Sequence, residues 1–420
     1  MLEPVNWEHV SFNELDMLLR VSCFSDELVI DKELSSRLTP LCLACKYNRE
    51  DLVTVLLHHN AQVNKCSSFY NKQPLHFACS HNKGNTGIVR KIIEAEANLN
   101  APDSDGNTCL HIACAEGNIP VVELLIKHGA SVNSTDMVGD TPLVRACYAQ
   151  STRLVDILVR AGCDANVPEG LPLEIAIRAS SVETLKLLIE GGASVHVGAY
   201  LSHASECGDI ESMKILNSYG ADVNKTNTLG MSPLQIACFS HQSRPDAVQL
   251  LLQWGADVHA CSKMKETALH YACNIQDVEK IRLLLAYGAD VNAQDTLRFS
   301  PLMMAMKGFS LHPLKSQTNL GISLVRLLLA AGARLQQDNL GRLKSTILFV
   351  PDAAEKKQEL FDLLYCQVSQ PSELQALCRV KIRKSVQPNI DKNVEILPLP
   401  PQLIRYLKFF DVIEDFILIE

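Results

Sequence analysis

The sequence predicts an all-α solenoid of repeated helix pairs with short β-hairpin tips, followed by a small helical module of different character. Three observations carry this. One phrase recurs along most of the chain at a period near 33 residues, the apolar content comes mainly from aliphatic side chains, and a proline-marked text without the repeat closes the chain. Of 420 residues 47% are hydrophobic and only 5% aromatic, a palette that suits helices packed through Leu, Ala, Val and Ile. Taken alone, such a length implies two or three ordinary domains at about 150 residues each. The recurrence replaces that estimate.

The phrase reads TPLCLAC from Thr39, QPLHFAC from Gln73, TCLHIAC from Thr108, TPLVRAC from Thr141, LPLEIAI from Leu171, AYLSHAS from Ala199, SPLQIAC from Ser232, TALHYAC from Thr267 and SPLMMAM from Ser300. Successive starts lie 34, 35, 33, 30, 28, 33, 35 and 33 residues apart. This pattern resembles the T-P-L-H-x-A opening of ankyrin repeats. The residues make physical sense at these places. Thr39, Thr108, Thr141, Ser232, Thr267 and Ser300 can cap a first helix, and Pro40, Pro74, Pro142, Pro172, Pro233 and Pro301 sit where a missing N–H costs nothing.

A second apolar-periodic run follows each phrase, and Gly129, Gly162, Gly192, Gly220, Gly255, Gly288 and Gly332 stand just past its last turn, where a left-handed residue closes a helix. The opening-to-glycine distance of 21 residues in the repeats from 108, 141, 171, 199 and 267 predicts helices of about 8 and 10 residues. Neither helix pair can bury its apolar faces alone, so neighbours must stack.

The repeats from Leu171 and Ala199 lack the D-x-x-G-x-T lead-in, so their tips are expected to be truncated. In the repeat from Ser300 the distance to Gly332 grows by 11 residues, and KGFSLHPLKSQ is expected as an exposed loop between the two helices. The expected organisation is a helical N-terminal cap at 1–38 with FNELDMLLR helical, about nine ankyrin repeats over 39–335, a degenerate last repeat or linker over 336–370 with KQELFDLLYCQ as its second helix, a closing module at 371–411, and a tail at 412–420.

Enzyme chemistry finds little support. Glycines mark repeat junctions and form no phosphate loop, and no G-x-S-x-G or H-E-x-x-H occurs. No catalytic residue, metal site or cofactor is expected. Cys45, Cys79, Cys114, Cys147, Cys238 and Cys273 follow the alanine of the phrase, one per repeat, a row suited to packing and not to convergence on a metal. Cys42 and Cys45 form a CxxC without a second pair at zinc-finger spacing. His76, His111 and His270 occupy the histidine of T-P-L-H and are expected to tie one repeat to the next. Asn64, Asn100, Asn133, Asn166, Asn224 and Asn292, in or near A-x-V-N tails, are expected to bond the hairpin backbone. The ankyrin resemblance adds hydroxylation of such asparagines as a secondary reading.

With 39 basic against 47 acidic residues the net charge is −8, which argues against nucleic acid or an anionic membrane as partner. The acidic N-terminal stretch does not read as a signal peptide, and no run reaches the ~18 apolar residues of a membrane span. The 15 cysteines are read as reduced, in the cytoplasm, with the nucleus also open. Tip positions are freer than core positions. Phe69, Tyr70, Met137, Leu229, Met231, Met264, Leu297, Arg298 and Phe299 are apolar or Arg where polar residues would serve solubility better. Contact with a target protein and local packing between adjacent tips both account for them.

In the closing segment, Ser372 can cap a helix whose apolar stripe contains Leu374, Leu377, Cys378, Ile382 and Val386, ended by Pro388, and the prolines of LPLPP then precede QLIRYLKFF. So few residues cannot enclose these side chains unaided. L-x-x-x-C-x-x-x-I from Leu374 resembles the elongin-binding motif of a SOCS box, and LPLP with a following L-x-x-Y-L resembles its cullin box. Together with the repeats, the chain is similar to the ankyrin repeat and SOCS box family over about four-fifths of its length. The resemblance implies the substrate receptor of a ubiquitin ligase, itself non-catalytic. Leu374, Leu377, Cys378 and Ile382 would enter elongin C, which pairs with elongin B. Leu397, Pro398, Leu399 and Pro400 would meet cullin-5, which carries a RING subunit, and an unidentified protein would be the target. The competing expectation is an ankyrin scaffold or inhibitor whose C-terminal helices only cap the stack.

Overall fold

Thr39 sets the local rule for the first helix: its hydroxyl accepts the Cys42 N–H at 3.2 Å and Pro40 begins the turn. The computed structural model describes residues 31, 37–68, 70–80, 86–196, 198–311 and 317–334. Residues 1–30 and 32–36 of the N-terminal cap, the segment from 335 onward with the whole SOCS-like module, and Phe69 lie outside the described residues.

The described helices come in pairs and fall into two compact bodies that part between Gly198 and Ala199. The first body holds α1 Pro40–Lys46, α2 Glu50–His58, α3 Pro74–Cys79, α4 Thr86–Glu94, α5 Cys109–Ala115, α6 Ile119–Lys127, α7 Pro142–Tyr148, α8 Thr152–Arg160, α9 Leu171–Arg178 and α10 Val182–Glu190. The second holds α11 Tyr200–Cys207, α12 Ile210–Ser218, α13 Pro233–Phe239, α14 Pro245–Gln253, α15 Ala268–Asn274, α16 Val278–Ala286, α17 Pro301–Leu311 and α18 Gln317–Ala330. Most first helices have seven residues and second helices nine, each about one residue shorter than expected. Within each body first helices stack on first helices, α1 on α3 and α13 on α15 for example, and each pairs with the second helix of its own repeat.

The core is aliphatic, as composition required. Leu75, Leu110, Leu143, Leu234, Leu269 and Leu302 of the repeated phrase are fully buried. The six cysteines after the phrase alanine are buried too, and all cysteines of the described residues are free thiols. Burial raises the thiol pKa of Cys45, Cys114, Cys147, Cys238 and Cys273, to about 12 for Cys147 and Cys238, so these five sulfurs stay protonated packing groups. Glycines 129, 162, 192, 220, 255, 288 and 332 all have positive φ, as their place after the second helix required.

Two expectations need correction. No strand occurs among the described residues: the tips at 103–107, 136–140, 227–231, 262–266 and 295–299 are five-residue turns closed on themselves, and the tip at 67–72 has six, all too short for a ladder. Residues 307–311 of the expected 307–317 loop are helical, because α17 runs on through Leu311; α18 begins at Gln317, and 312–316 lie outside the described residues. Lys307 and Leu311 are good helix formers, and the helix stops two residues short of Pro313, whose ring disfavours helical backbone in the residue before it.

The second body carries one local irregularity. Ser240 turns to extended backbone after α13, and residues 240–244 lead to α14. Lys280, buried on α16, donates its amino group to the Ala237 carbonyl at 2.9 Å and the Ser240 carbonyl at 2.8 Å, so a helix C-terminus is capped from the next repeat. Gly208 (φ +69) makes room for this linker: a Cβ there would stand 2.9 Å from the Gln242 carbonyl oxygen.

Candidate functional site

Ankyrin-type tips are built from their first residue. Asp136 accepts two backbone N–H groups on Oδ1, from Val138 and Asp140, both at 2.9 Å, and the Asp136 N–H donates to the Asp140 carbonyl at 3.0 Å. Asp103, Asn227, Ser262 and Asp295 repeat this arrangement in the tips 103–107, 227–231, 262–266 and 295–299. The fourth residue takes positive φ, as Gly106, Gly139, Gly230, Lys265 and Arg298 do. This closure forces the third side chain outward: Asp105 and Val138 in the first body, and Leu229, Met264 and Leu297 in the second.

A polar latch locks the tips 103–107, 136–140 and 295–299 to the preceding repeat. His111 Nδ1 accepts the Thr108 N–H at 3.1 Å, which puts the ring proton on Nε2, and Nε2 donates to the Asp140 carbonyl at 3.1 Å. His270 does the same toward Phe299 at 3.0 Å, and His76 toward Ala101 at 3.0 Å and Asn107 at 3.2 Å. Burial is the chief influence on all three and holds their pKa below that of free histidine, so they stay neutral at pH 7. The expected tie between repeats is therefore present.

Sequence reading missed that Gln235 is a non-titrating copy of this latch. Its Oε1 accepts the Ser232 N–H at 2.7 Å, and its Nε2 donates to the Ala260 and Glu266 carbonyls at 3.0 and 2.8 Å. Its place in SPLQIAC, at the histidine position, was the available signal. In the repeat from Thr141 that position is Val144, and the adjacent Arg145 instead reaches back to pair with Asp136 of its own tip. Burial opposes ionisation of Asp136, but the Arg145 bond and the two backbone N–H groups outweigh it and lower its pKa.

The asparagine tails act one repeat further along than expected. Asn64, Asn100, Asn133, Asn166, Asn224 and Asn292 accept the N–H of Asn98, Ser131, Asp164, Ser194, Asp257 and Arg334, each just past the second helix of the next repeat, at 2.7–2.8 Å. They staple neighbouring helix ends, not the tip backbone. The free N–H groups after each helix explain this choice.

Of the expected tip anchors, Tyr70, Met137, Leu229, Met264, Leu297 and Arg298 are exposed. Met231 is buried and Phe299 half-buried, because the fifth tip residue turns back toward the helices; neither is an exposed anchor. Val138, 83% exposed, belongs to the set and was overlooked. Leu374, Leu377, Cys378, Ile382, Leu397, Pro398, Leu399 and Pro400 lie outside the described residues. Among the described residues no three His, Cys, Asp or Glu side chains are grouped to hold a metal ion, and no helix is long and apolar enough to cross a membrane.

Comparison with known proteins follows the same division. The family model of ankyrin repeats (3 copies) matches in overlapping stretches from residue 10 to 338, interrupted at 170–172, and the SOCS box model matches residues 370–408. The chain is 26% identical over 271 residues to the human (Homo sapiens) ankyrin repeat and SOCS box protein 16, covering 56% of this chain and 59% of that one. Human ankyrin repeat and SOCS box protein 10 is 36% identical over 61 residues, 14% of this chain and 13% of the relative. The solved ankyrin repeat domain of Bcl-3, a member of the IkappaB protein family, shares 30% identity at a TM-score of 0.42, over 48% of this chain and 95% of that structure. The chain thus spans less than two-thirds of the length of both human relatives. A long ankyrin array followed by a C-terminal SOCS box is the arrangement that names a family, and this chain belongs to the ankyrin repeat and SOCS box proteins.

Proposed function

We propose that this chain is the non-catalytic substrate receptor of an elongin B/C–cullin-5–RING ubiquitin ligase, its repeats holding a target protein and its SOCS box recruiting the ligase, with ubiquitination and proteasomal degradation as the outcome. The observation that carries this is the SOCS box match at 370–408, C-terminal to the ankyrin match that ends at 338. On this reading the module occupies 371–411. Leu374 and Cys378 are its buried anchors in elongin C, supported by Leu377 and Ile382, while Leu397, Pro398, Leu399 and Pro400 orient cullin-5. The cytoplasm, with access to the nucleus, is the compartment in which these partners would meet it.

Each aliphatic anchor buried in a partner contributes about 1.5–3 kcal/mol, so truncating Leu374 weakens the complex at least about tenfold. The receptor's mechanism is positioning: it holds target lysines near a ubiquitin-loaded enzyme and so raises their effective concentration. Co-purification tests it. Elongins B and C accompany the wild-type chain and are lost from the variant carrying Leu374→Ser and Cys378→Ser. Equal recovery with both forms, or with neither, overturns the reading and leaves a scaffold or inhibitor.

A further inference from the structure

Leu229, Met264 and Leu297 hold the same place in three consecutive tips of one compact body. In each, the backbone N–H of that residue donates to the first tip residue: to Asn227 at 3.0 Å, to Ser262 at 3.3 Å and to Asp295 at 2.8 Å. Equal turns project equal side chains in parallel, and these are 64%, 53% and 59% exposed. The tips abut. Lys263 Nζ donates to the Thr228 carbonyl at 2.7 Å, and the Thr296 N–H donates to the Met264 carbonyl at 3.0 Å. The result is a row of three apolar side chains spaced by the stacking distance of helices, about 8–10 Å.

The charges along this row have one sign. Lys263, Lys265 and Arg298 are exposed beside the three apolar positions, and none of them forms an ion pair among the described residues. The acids of the same tips are already engaged: Asp295 is buried closing its own turn, and Glu266 accepts the Tyr271 hydroxyl at 2.7 Å. In the first body the same tip position carries Asp105 or Val138 with no exposed base beside it in the tip.

We infer that this row binds an acidic segment of protein chain in the polyproline II conformation with an apolar residue at every third position. That helix has three residues per turn and rises about 3.1 Å per residue, so positions i, i+3 and i+6 lie on one face about 9 Å apart, the spacing of the tips. A β-strand fits worse, because its third residues fall on opposite faces. Acidic residues between the apolar ones face Lys263, Lys265 and Arg298, and the pre-extended conformation lowers the ordering cost. The inference deepens the receptor reading by giving the chemistry of the target segment.

The probe is a fluorescein-labelled peptide of about twelve residues repeating Leu-Pro-Glu, titrated against the full chain and read by anisotropy. Saturable binding is expected that weakens with salt and falls at least about tenfold in the variant Leu229→Ser, Met264→Ser, Leu297→Ser. A similar fall is expected in Lys263→Glu, Lys265→Glu, Arg298→Glu, and no change in Met137→Ser, Val138→Ser. All these side chains are exposed, and an unchanged melting curve confirms that each variant is folded. The inference is overturned by absent binding, by equal binding of a peptide with the same residues but leucines at irregular spacing, by equal loss in the Met137/Val138 variant, or by preference for a single-stranded uridine oligonucleotide. Elongin co-purification is read separately, so either proposal can fail without the other.

Discussion

The tips at 103–107 and 136–140 in the first body and those at 227–231, 262–266 and 295–299 in the second share one hydrogen-bond pattern and differ in what they display. The first pair shows Asp105 and Val138 at the third position, the second set Leu229, Met264 and Leu297. Residues one and five are fixed by the turn and its latch, whereas residue three touches little of the framework. Structure is therefore written at some tip positions and recognition at others. Substitutions that separate the two kinds of position test this division.

The largest effect is expected at Lys280, which belongs to the framework of the second body alone. The same place in the second helix holds Val121 and Leu154 in the first body, both fully buried and apolar. Because the 240–244 linker frees the Ala237 and Ser240 carbonyls, Lys280→Met leaves one buried and one part-buried acceptor without this partner. A loss of about 3 kcal/mol is expected, read as a lower urea midpoint.

Next come the latches. His270→Ala strands the Thr267 N–H and removes one of the two donors to the Phe299 carbonyl, which keeps the Asp295 N–H, and is expected to cost about 2 kcal/mol. The latches also set a pH dependence. Folded His76, His111 and His270 titrate below their unfolded value of about 6.5, so the unfolded chain takes up more protons as pH drops through that value. Stability is full above it and falls as pH declines toward the folded values. The Gln235 latch does not titrate, so His111→Gln with His270→Gln is expected to flatten the difference between urea midpoints at pH 7.5 and 5.5. An unchanged slope would show that these imidazoles are not its source.

Much of this framework was legible in the sequence because its causes are local. The caps, prolines and closing glycines each act within a few residues, and the T-P-L-H histidines announced a tie that the structure contains. What escaped depends on neighbours in space. Gln235 reads as an ordinary helix residue until its amide meets the next tip, Lys280 as a surface lysine until the linker's carbonyls surround it, and Met231 as an exposed anchor until the fifth tip position turns inward. The asparagine tails were assigned to hydrogen bonding correctly but to the wrong partner, since only the stacked repeats reveal which N–H groups remain unpaired.

A smaller, opposite effect is expected at Glu96. Seven repeats place glycine after the second helix, but Glu96 holds that position with φ +64. Its carbonyl accepts from Asn64 through the backbone, a bond that glycine would keep. Glu96→Gly trades left-handed strain of about 1–2 kcal/mol against the greater freedom of unfolded glycine, a net gain of about 0.5–1 kcal/mol. A raised urea midpoint measures it.

The smallest stability change is expected where the effect on binding should be greatest. Leu229→Ser, Met264→Ser and Leu297→Ser remove side chains that are more than half exposed and leave every tip hydrogen bond in place, since each of those bonds uses a backbone N–H. Surface changes of this type stay within about 0.5 kcal/mol. The triple variant should therefore melt with the wild-type chain, while Asn227→Ala, which removes the acceptor of two backbone N–H groups in one tip, should lower the midpoint by about 1 kcal/mol. If the triple variant proves the less stable of the two, the third positions pack against one another as part of the framework, and the separation of structure from display fails at the tips where it is drawn most sharply.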